Sequence, residues 1–274
     1  MNKISLYTSA FLLKTGNFDY ASALDNFTRF ADETVICVND FKDGSLELIK
    51  EWQLNNPNRC LKVIVSEFKR EWPLFDGAVK NKALQACSNE WCVSCDLDEK
   101  INIDLKPRFI NAFKLLSQSG HKAFLVPNIE PYMDINNIRF DSAKNFQTKW
   151  HIHLKSGVKR GPIKQALLAN NFINNEISDG CEATDFEGNL ISAPTLIPTE
   201  IIKRGNLDEY TNYLKAGGIW VWHFGHSDIQ RRIKLNKEFW RQQWIFESNK
   251  EKDILLNEAQ AFYPTYPHNL PFDL

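Results

Sequence analysis

Strand and helix signals alternate through the first 130 residues, and this alternation constrains the fold more than any other feature of the chain. An apolar strand runs over residues 4–8. Residues 17–31 then set Ala21, Leu24, Phe27 and Phe30 on one helical stripe. Residues 34–39 read as a second strand and 43–54 as a helix with Asp43 and Ser45 as caps. Strand 61–65, helix 73–87, strand 91–95, helix 104–117 and strand 121–126 complete the run. Such a βαβ series predicts an α/β fold, with a mostly parallel central sheet and helices on both faces. Ligands of such sheets bind beyond the carboxyl ends of the strands. That directs attention to Thr8-Ser9, Asn39-Asp40, Ser66-Glu67 and Asp96-Leu97-Asp98-Glu99.

Beyond residue 130 the pattern loosens. Residues 149–154 alternate as a strand and 162–170 read as helix. Residues 182–191 suggest a hairpin turning at Glu187-Gly188-Asn189. Residues 218–224 form a strand of Trp, Val and Phe, and 228–247 a long helix. The proline-rich tail 262–274 cannot be helical and is expected to lie along the surface as an arm. No composition break marks a linker, so one domain over 1–274 is expected. It divides into a ligand-binding half at 1–105, a second half at 106–227, and a C-terminal helix and arm at 228–274.

Charge narrows the partners. Lys and Arg total 33 against 34 Asp and Glu, a net charge of −1, which makes a nucleic-acid polymer an unlikely partner. No run of about 18 apolar residues offers a membrane span. The N-terminus lacks the basic, apolar and small-residue regions of a signal peptide. The six cysteines then read as reduced, buried thiols of a cytoplasmic protein. Cys92-Val93-Ser94-Cys95 has half the spacing of a zinc site, but no second pair follows. His151 and His153 share one face of a strand, where polar or acceptor-site roles are expected.

The strongest chemical signal is the stretch from Asn81 to Glu99, a helix leading through a polar turn into a buried strand that ends in Asp-x-Asp. In extended chain Asp96 and Asp98 point the same way and Leu97 points back. Two carboxylates at an open strand end make an incomplete oxygen site for Mg²⁺ or Mn²⁺.

These residues resemble the family 2-like glycosyltransferases with the GT-A fold. The resemblance rests on Lys80-Asn81-Lys82-Ala83-Leu84, Ser88-Asn89-Glu90-Trp91 and Asp96-Leu97-Asp98-Glu99. It also rests on Val38-Asn39-Asp40-Phe41-Lys42-Asp43-Gly44-Ser45, where Lys42 replaces the family's usual serine. The first strand departs too, with Tyr7-Thr8-Ser9-Ala10 in place of Pro-x-Tyr-Asn. The resemblance implies a nucleotide-sugar donor, a glycan or other hydroxyl-bearing acceptor, and Mn²⁺ or Mg²⁺. It implies that Thr8 and Ser9 border the nucleoside and that Asp40 accepts from the base, typically uracil. Lys80 and Asn81 would lie near the diphosphate or base. Asp96 would face the ribose or a metal-bound water, and Asp98 would bind the metal. A late His-Phe-Gly, His223-Phe224-Gly225, makes His223 the implied third ligand with His226 second, and Arg231 or Arg232 the phosphate contact. The acceptor's proton would pass to Asp185 or, second, Glu182.

The reaction expected is metal-dependent, inverting sugar transfer, with UDP as the leading donor nucleotide. A sugar-phosphate nucleotidyltransferase is the alternative, although residues 8–16 hold a single glycine where such enzymes carry a glycine-rich loop. A non-catalytic nucleotide- or glycan-binding protein of the same fold is the other. No dinucleotide fingerprint, Walker loop or nucleophile elbow is present.

Overall fold

The computed structural model describes residues 3–16, 18–68, 75–132, 134–139, 148–160, 183–225, 265–267 and 270–271. The expected helices at 162–170 and 228–247, the latter the helical C-terminal extension, lie outside the described residues.

Strand β1 (Ile4–Ala10) is buried at every position, as a strand covered on both faces must be. Parallel neighbours β2 (Glu33–Asn39) and β4 (Trp91–Ser94) flank it, and β3 (Leu61–Ser66) pairs with β2. The sheet continues through β9 (Thr148–Leu154), β6 (Ala123–Ile129), β12 (Val221–His223) and β5 (Glu99–Lys100). Its order is β3-β2-β1-β4-β9-β6-β12-β5. Only β9 and β5 run against the rest, so the mostly parallel sheet is present. The antiparallel β9 wedges between β4 and β6, which the alternation would have made direct neighbours. Smaller pairings join β10 (Lys159–Arg160) to β11 (Ala183–Thr184), and β7 (Pro131–Tyr132) to β8 (Asp134–Arg139) to β13 (Thr265–Pro267). The tail therefore adds a strand, and Leu270 is buried in the core. Within the expected arm, residues 265–267 pair with β8.

Helices α1 (Leu13–Gly16), α2 (Tyr20–Phe30), α3 (Ser45–Asn55), α4 (Phe75–Ala86) and α5 (Lys106–Ser119) follow the early strands. Leu24, Phe27 and Phe30 of α2, Ile49 of α3, and Phe109 and Phe113 of α5 pack with Ile4 and Leu6 on one face of the sheet. Val79, Ala83 and Leu84 of α4 pack with Tyr7, Val35 and Cys37 on the other. Helices thus cover both faces. Two helices that the sequence pattern did not reveal, α6 (Thr199–Arg204) and α7 (Leu207–Gly217), join the first core, α6 through half-buried Ile201 and Ile202 and α7 through Tyr210 and Leu214. Arg108 ties α5 to them by donating to the carbonyls of Leu214, Lys215 and Gly218.

Gly44 shows how a turn motif shapes a strand end. Its φ of +85° is left-handed, a conformation glycine adopts without steric cost. The next residue, Ser45, donates its hydroxyl to Asp43 at 2.6 Å and opens α3. No described helix is long and apolar enough to cross a membrane.

Candidate active site

A polar network begins at the end of β1. Thr8 and Ser9 are buried there. Ser9 Oγ donates to Asp76 Oδ1 at 3.0 Å. One helical turn on, Lys80 Nζ lies 3.9 Å from Asp76 Oδ2 and 2.7 Å from Asp96 Oδ1. The Lys80 side chain is only 6% exposed, so these carboxylates hold its charge inside the protein. Ser9, Lys80 and Asp96, which the sequence reading assigned to one site, are linked through Asp76.

Asp96 to Glu99 form a turn rather than an extended strand end, because Glu99 N–H donates to the Asp96 carbonyl at 2.9 Å. The simple two-residue alternation expected for Asp96 and Asp98 is corrected accordingly. The Glu99 carboxylate returns the bond, accepting from Asp96 N–H at 2.8 Å. Leu97 is buried beneath the turn, as expected. Phe224 N–H donates to the Asp98 carbonyl at 2.7 Å, so the end of β12 is pinned to the acidic turn.

That pin brings His223 to Asp98. Its Nε2 lies 3.6 Å from Asp98 Oδ2, and its Nδ1 lies 3.0 Å from Glu130 Oε1. Gly225 leaves the space between them open: a Cβ there would fall 2.8 Å from His223 Nε2 and 3.3 Å from Asp98 Oδ2. Asp98 and His223 supply a carboxylate and one imidazole nitrogen, with Asp96 on the same turn but paired to Lys80 and Lys149. A hard divalent cation such as Mn²⁺ or Mg²⁺ takes such a set and keeps further positions for water or phosphate. The residues therefore fit the metal that the sequence pattern implied.

The electrostatics match. Burial opposes ionisation of Asp98, yet the neighbouring His223 prevails and holds the carboxyl at about 2. Burial likewise opposes ionisation of Asp96, but Lys80 and Lys149 drive it well below the carboxylate range. His223 is pushed up to about 9, because Asp98 and Glu130 outweigh both burial and Lys149. Lys149, on β9, lies 2.6 Å from Glu99 Oε1 and 3.5 Å from Asp96 Oδ2. Against the cost of its burial, these carboxylates raise it above the usual lysine range.

Other expected residues lie elsewhere. Asp40 stands at the end of β2, but its carboxylate accepts from Lys42 N–H at 2.9 Å and from Lys42 Nζ at 2.6 Å. The lysine that replaces the usual serine thus occupies the group expected to meet the base. Asn81 turns away from Asp96, its Oδ1 accepting from Arg160 N–H at 3.2 Å. It lines a cavity of about 490 Å³ with Ser88, Asn89 and Glu90. These precede β4, so the cavity is at the opposite end of that strand from Asp96, and the expectation for Asn81 is corrected.

Asp185 is engaged within its own turn. Its carboxylate caps its own turn, accepting from the N–H groups of Glu187 and Asn189 at 2.9 Å and from Asn189 Nδ2 at 2.8 Å. Those bonds lower its pKa and keep it ionised. Its neighbour Phe186 lines the distant cavity. Glu182, His226, Arg231 and Arg232 lie outside the described residues.

Cys95, Glu99 and His151 also bring potential ligand atoms within 4.8 Å of one another. The ligand atoms of Glu99 and His151 are already committed. Glu99 accepts from Lys149, Asp96 N–H and Asn128, while both ring nitrogens of His151 are bonded, to the Ser94 carbonyl at 2.5 Å and Asn128 at 2.9 Å. An adjacent ammonium opposes a second cation there. His153 faces Tyr7 Oη at 3.0 Å, so both strand histidines serve buried polar contacts. Cys92 and Cys95 are buried in the core as expected, whereas Cys60 is exposed.

Sequence reasoning missed Glu99 as a structural acid, and it missed Lys149, Glu130 and Arg139 altogether. Lys149 was visible as a charge beginning an apolar strand. Glu130 and Arg139 sit where the pattern had loosened.

No protein-family model matches the sequence. No curated protein matches it significantly. Among solved structures, the chain is similar to S. aureus TarS 1-349, at 16% identity over 94% of this chain and 70% of that chain, with a TM-score of 0.39. It is similar to the same protein in complex with UDP-GlcNAc, at 13% identity over 94% and 71%, with a TM-score of 0.40. It is also similar to the mannosyltransferase PcManGT from Pyrobaculum calidifontis in complex with GDP-Man and Mn²⁺, at 14% identity over 94% and 69%, with a TM-score of 0.42. Likeness at that level leaves the function to be argued from the chain's own residues.

Proposed function

We propose that this chain is a metal-dependent, inverting glycosyltransferase of GT-A type. It moves a sugar from a nucleoside-diphosphate donor, UDP foremost, to the hydroxyl of a glycan or other acceptor. One observation carries the reading: Asp98 and His223 converge from distant parts of the chain beside a glycine whose missing side chain leaves room for an ion. Asp98 and His223 hold Mn²⁺ or Mg²⁺, with Asp96 alongside. The bound metal supplies Lewis-acid neutralisation of the departing diphosphate.

The chain's own groups do the rest. Lys80 and Lys149 keep Asp96 ionised at neutral pH. Thr8 and Ser9 border the nucleoside, and Asp40 meets the base once Lys42 yields it. Arg231 approaches the diphosphate. With the Asp185 carboxylate spent on its own turn, the acceptor's proton passes to Glu182. The single-domain division stands with this reading, since residues 4–100 and 123–223 contribute strands to one sheet. A cytoplasmic setting agrees with the buried free thiols at Cys37, Cys87, Cys92 and Cys95.

The test is thermal stability with UDP, GDP, CDP or TDP, each with and without Mn²⁺. Metal-dependent stabilisation by one diphosphate, lost in Asp98→Ala, is the expected result. No stabilisation of the folded protein by any of them would overturn the reading. Binding without turnover of any sugar donor would favour the non-catalytic alternative.

A further inference from the structure

His223 can meet a metal only through a ring nitrogen that carries no proton, so whatever fixes its other nitrogen decides which atom faces the ion. Glu130 follows directly after β6 and is 3% exposed. Its two oxygens are divided between two partners. Oε2 lies 3.2 Å from Arg139 Nη1, and Arg139 N–H also donates to the Glu130 carbonyl at 2.8 Å. Oε1 faces His223 Nδ1 at 3.0 Å. Arg139 already balances the buried charge, so Oε1 is not needed for that purpose. A carboxylate accepting the outer N–H of a ligating histidine fixes its tautomer and ring orientation and makes the inner nitrogen a better ligand.

We propose that Glu130 is a positioning residue: anchored by Arg139, it accepts the Nδ1–H of His223 and so turns Nε2 toward Asp98 and the metal. This rests on the metal site proposed above. Glu130 belongs to no motif in the sequence, and it acts on the ion only through His223. The metal-free arrangement already has the required geometry, with Nδ1 on Glu130 and Nε2 on the Asp98 side.

The experiment is Mn²⁺ titration of the whole chain by electron paramagnetic resonance, with pulsed spectra read for nitrogen coupling from a coordinated imidazole. Wild type is expected to show the coupling and His223→Gln to lose it. Glu130→Gln retains an acceptor and is expected to keep the coupling. The double variant Glu130→Leu, Arg139→Met removes the acceptor without leaving a buried arginine unpaired. It is expected to bind Mn²⁺ about 10–100-fold more weakly, with the coupling weakened. If that variant does not fold, Glu130→Asp withdraws the carboxylate by one methylene, and the same losses are expected. A wild-type spectrum without nitrogen coupling overturns His223 as a ligand, and this proposal with it. Coupling that survives with unchanged affinity in the folded Glu130→Leu, Arg139→Met variant, or in Glu130→Asp where that double variant does not fold, overturns the proposal alone.

Discussion

Gly225 stands so close to His223 that a Cβ on the glycine would lie 2.8 Å from the ring's Nε2, well inside van der Waals contact. The glycine backbone is not in the left-handed region, so the requirement comes from space and not from φ. Alanine here should fill the gap between His223 and Asp98 while leaving the fold intact. Gly225→Ala is expected to weaken Mn²⁺ binding at least about tenfold with a melting temperature within a few degrees of wild type. Calorimetric metal titration beside a thermal melt checks both halves.

Asp98 is the carboxylate facing His223 Nε2, while Asp96 is paired to Lys80 and Glu99 to Lys149. Asp98→Asn should lower sugar transfer by about 10³-fold or more, as loss of several kcal/mol of charge stabilisation demands. Circular dichroism should be unchanged. Transfer within tenfold of wild type would remove Asp98 from the metal site.

The Glu99–Lys149 pair joins a carboxylate that is 1% exposed to an ammonium 2.6 Å away. Lys149→Met would strand the buried acid, at a cost of about 3–5 kcal/mol. The double variant Lys149→Met, Glu99→Gln should recover much of that loss. Urea unfolding of the three proteins measures it, and equal stability of the single and double variants would show that the pair is not coupled.

Lys42 is exposed while the Asp40 side chain is 8% exposed, and a pair with one ammonium in water is worth about 1 kcal/mol at most. Lys42→Ser should therefore leave stability unchanged. If the base seeks Asp40, removing the competing ammonium should tighten nucleoside-diphosphate binding by up to about fivefold. Calorimetry with the diphosphate identified in the thermal panel decides it. Unchanged affinity would place the base away from Asp40.

Asp32 and Glu33 contribute to acid stability. Burial would raise both, but Asp32 accepts from Ile4 N–H and Lys106, and Glu33 from Ser5 and Ser88, so both fall below their ordinary values. A depressed carboxylate contributes stability that is complete above its unfolded value and lost as pH falls through the folded one. The melting temperature should therefore hold near pH 6 and drop below about pH 4. Glu33→Gln should be less stable at pH 6 and lose less on acidification. A pH series of thermal melts on both proteins tests the sign.

The alternating first half was legible because its information is local. The stripe of Leu24, Phe27 and Phe30 and the apolar strands β1 and β2 state their own burial and are buried, whereas Ala21 of the same stripe and Val65 of β3 are exposed. The acidic motif at the end of β4 could also be found, and with it Lys80 one helix earlier. The period-2 argument failed at Asp96–Asp98 because a hydrogen bond from Glu99 closes a turn, and the pattern of side chains does not record where backbone pairing stops.

By itself, then, the sequence determined the mostly parallel layered sheet, the helices on its faces and the strand end where an acidic site would open. Each follows from spacing along the chain. Only the tertiary structure decided that β9 would run antiparallel between β4 and β6, carrying Lys149 to Glu99. It alone set His223 beside Asp98 and Glu130, and left the Asp185 carboxylate bound to its own turn. Those pairings join residues far apart in sequence, or hinge on which donors a carboxylate has already met. Such partners depend on long-range register and burial, which no local pattern of residues encodes.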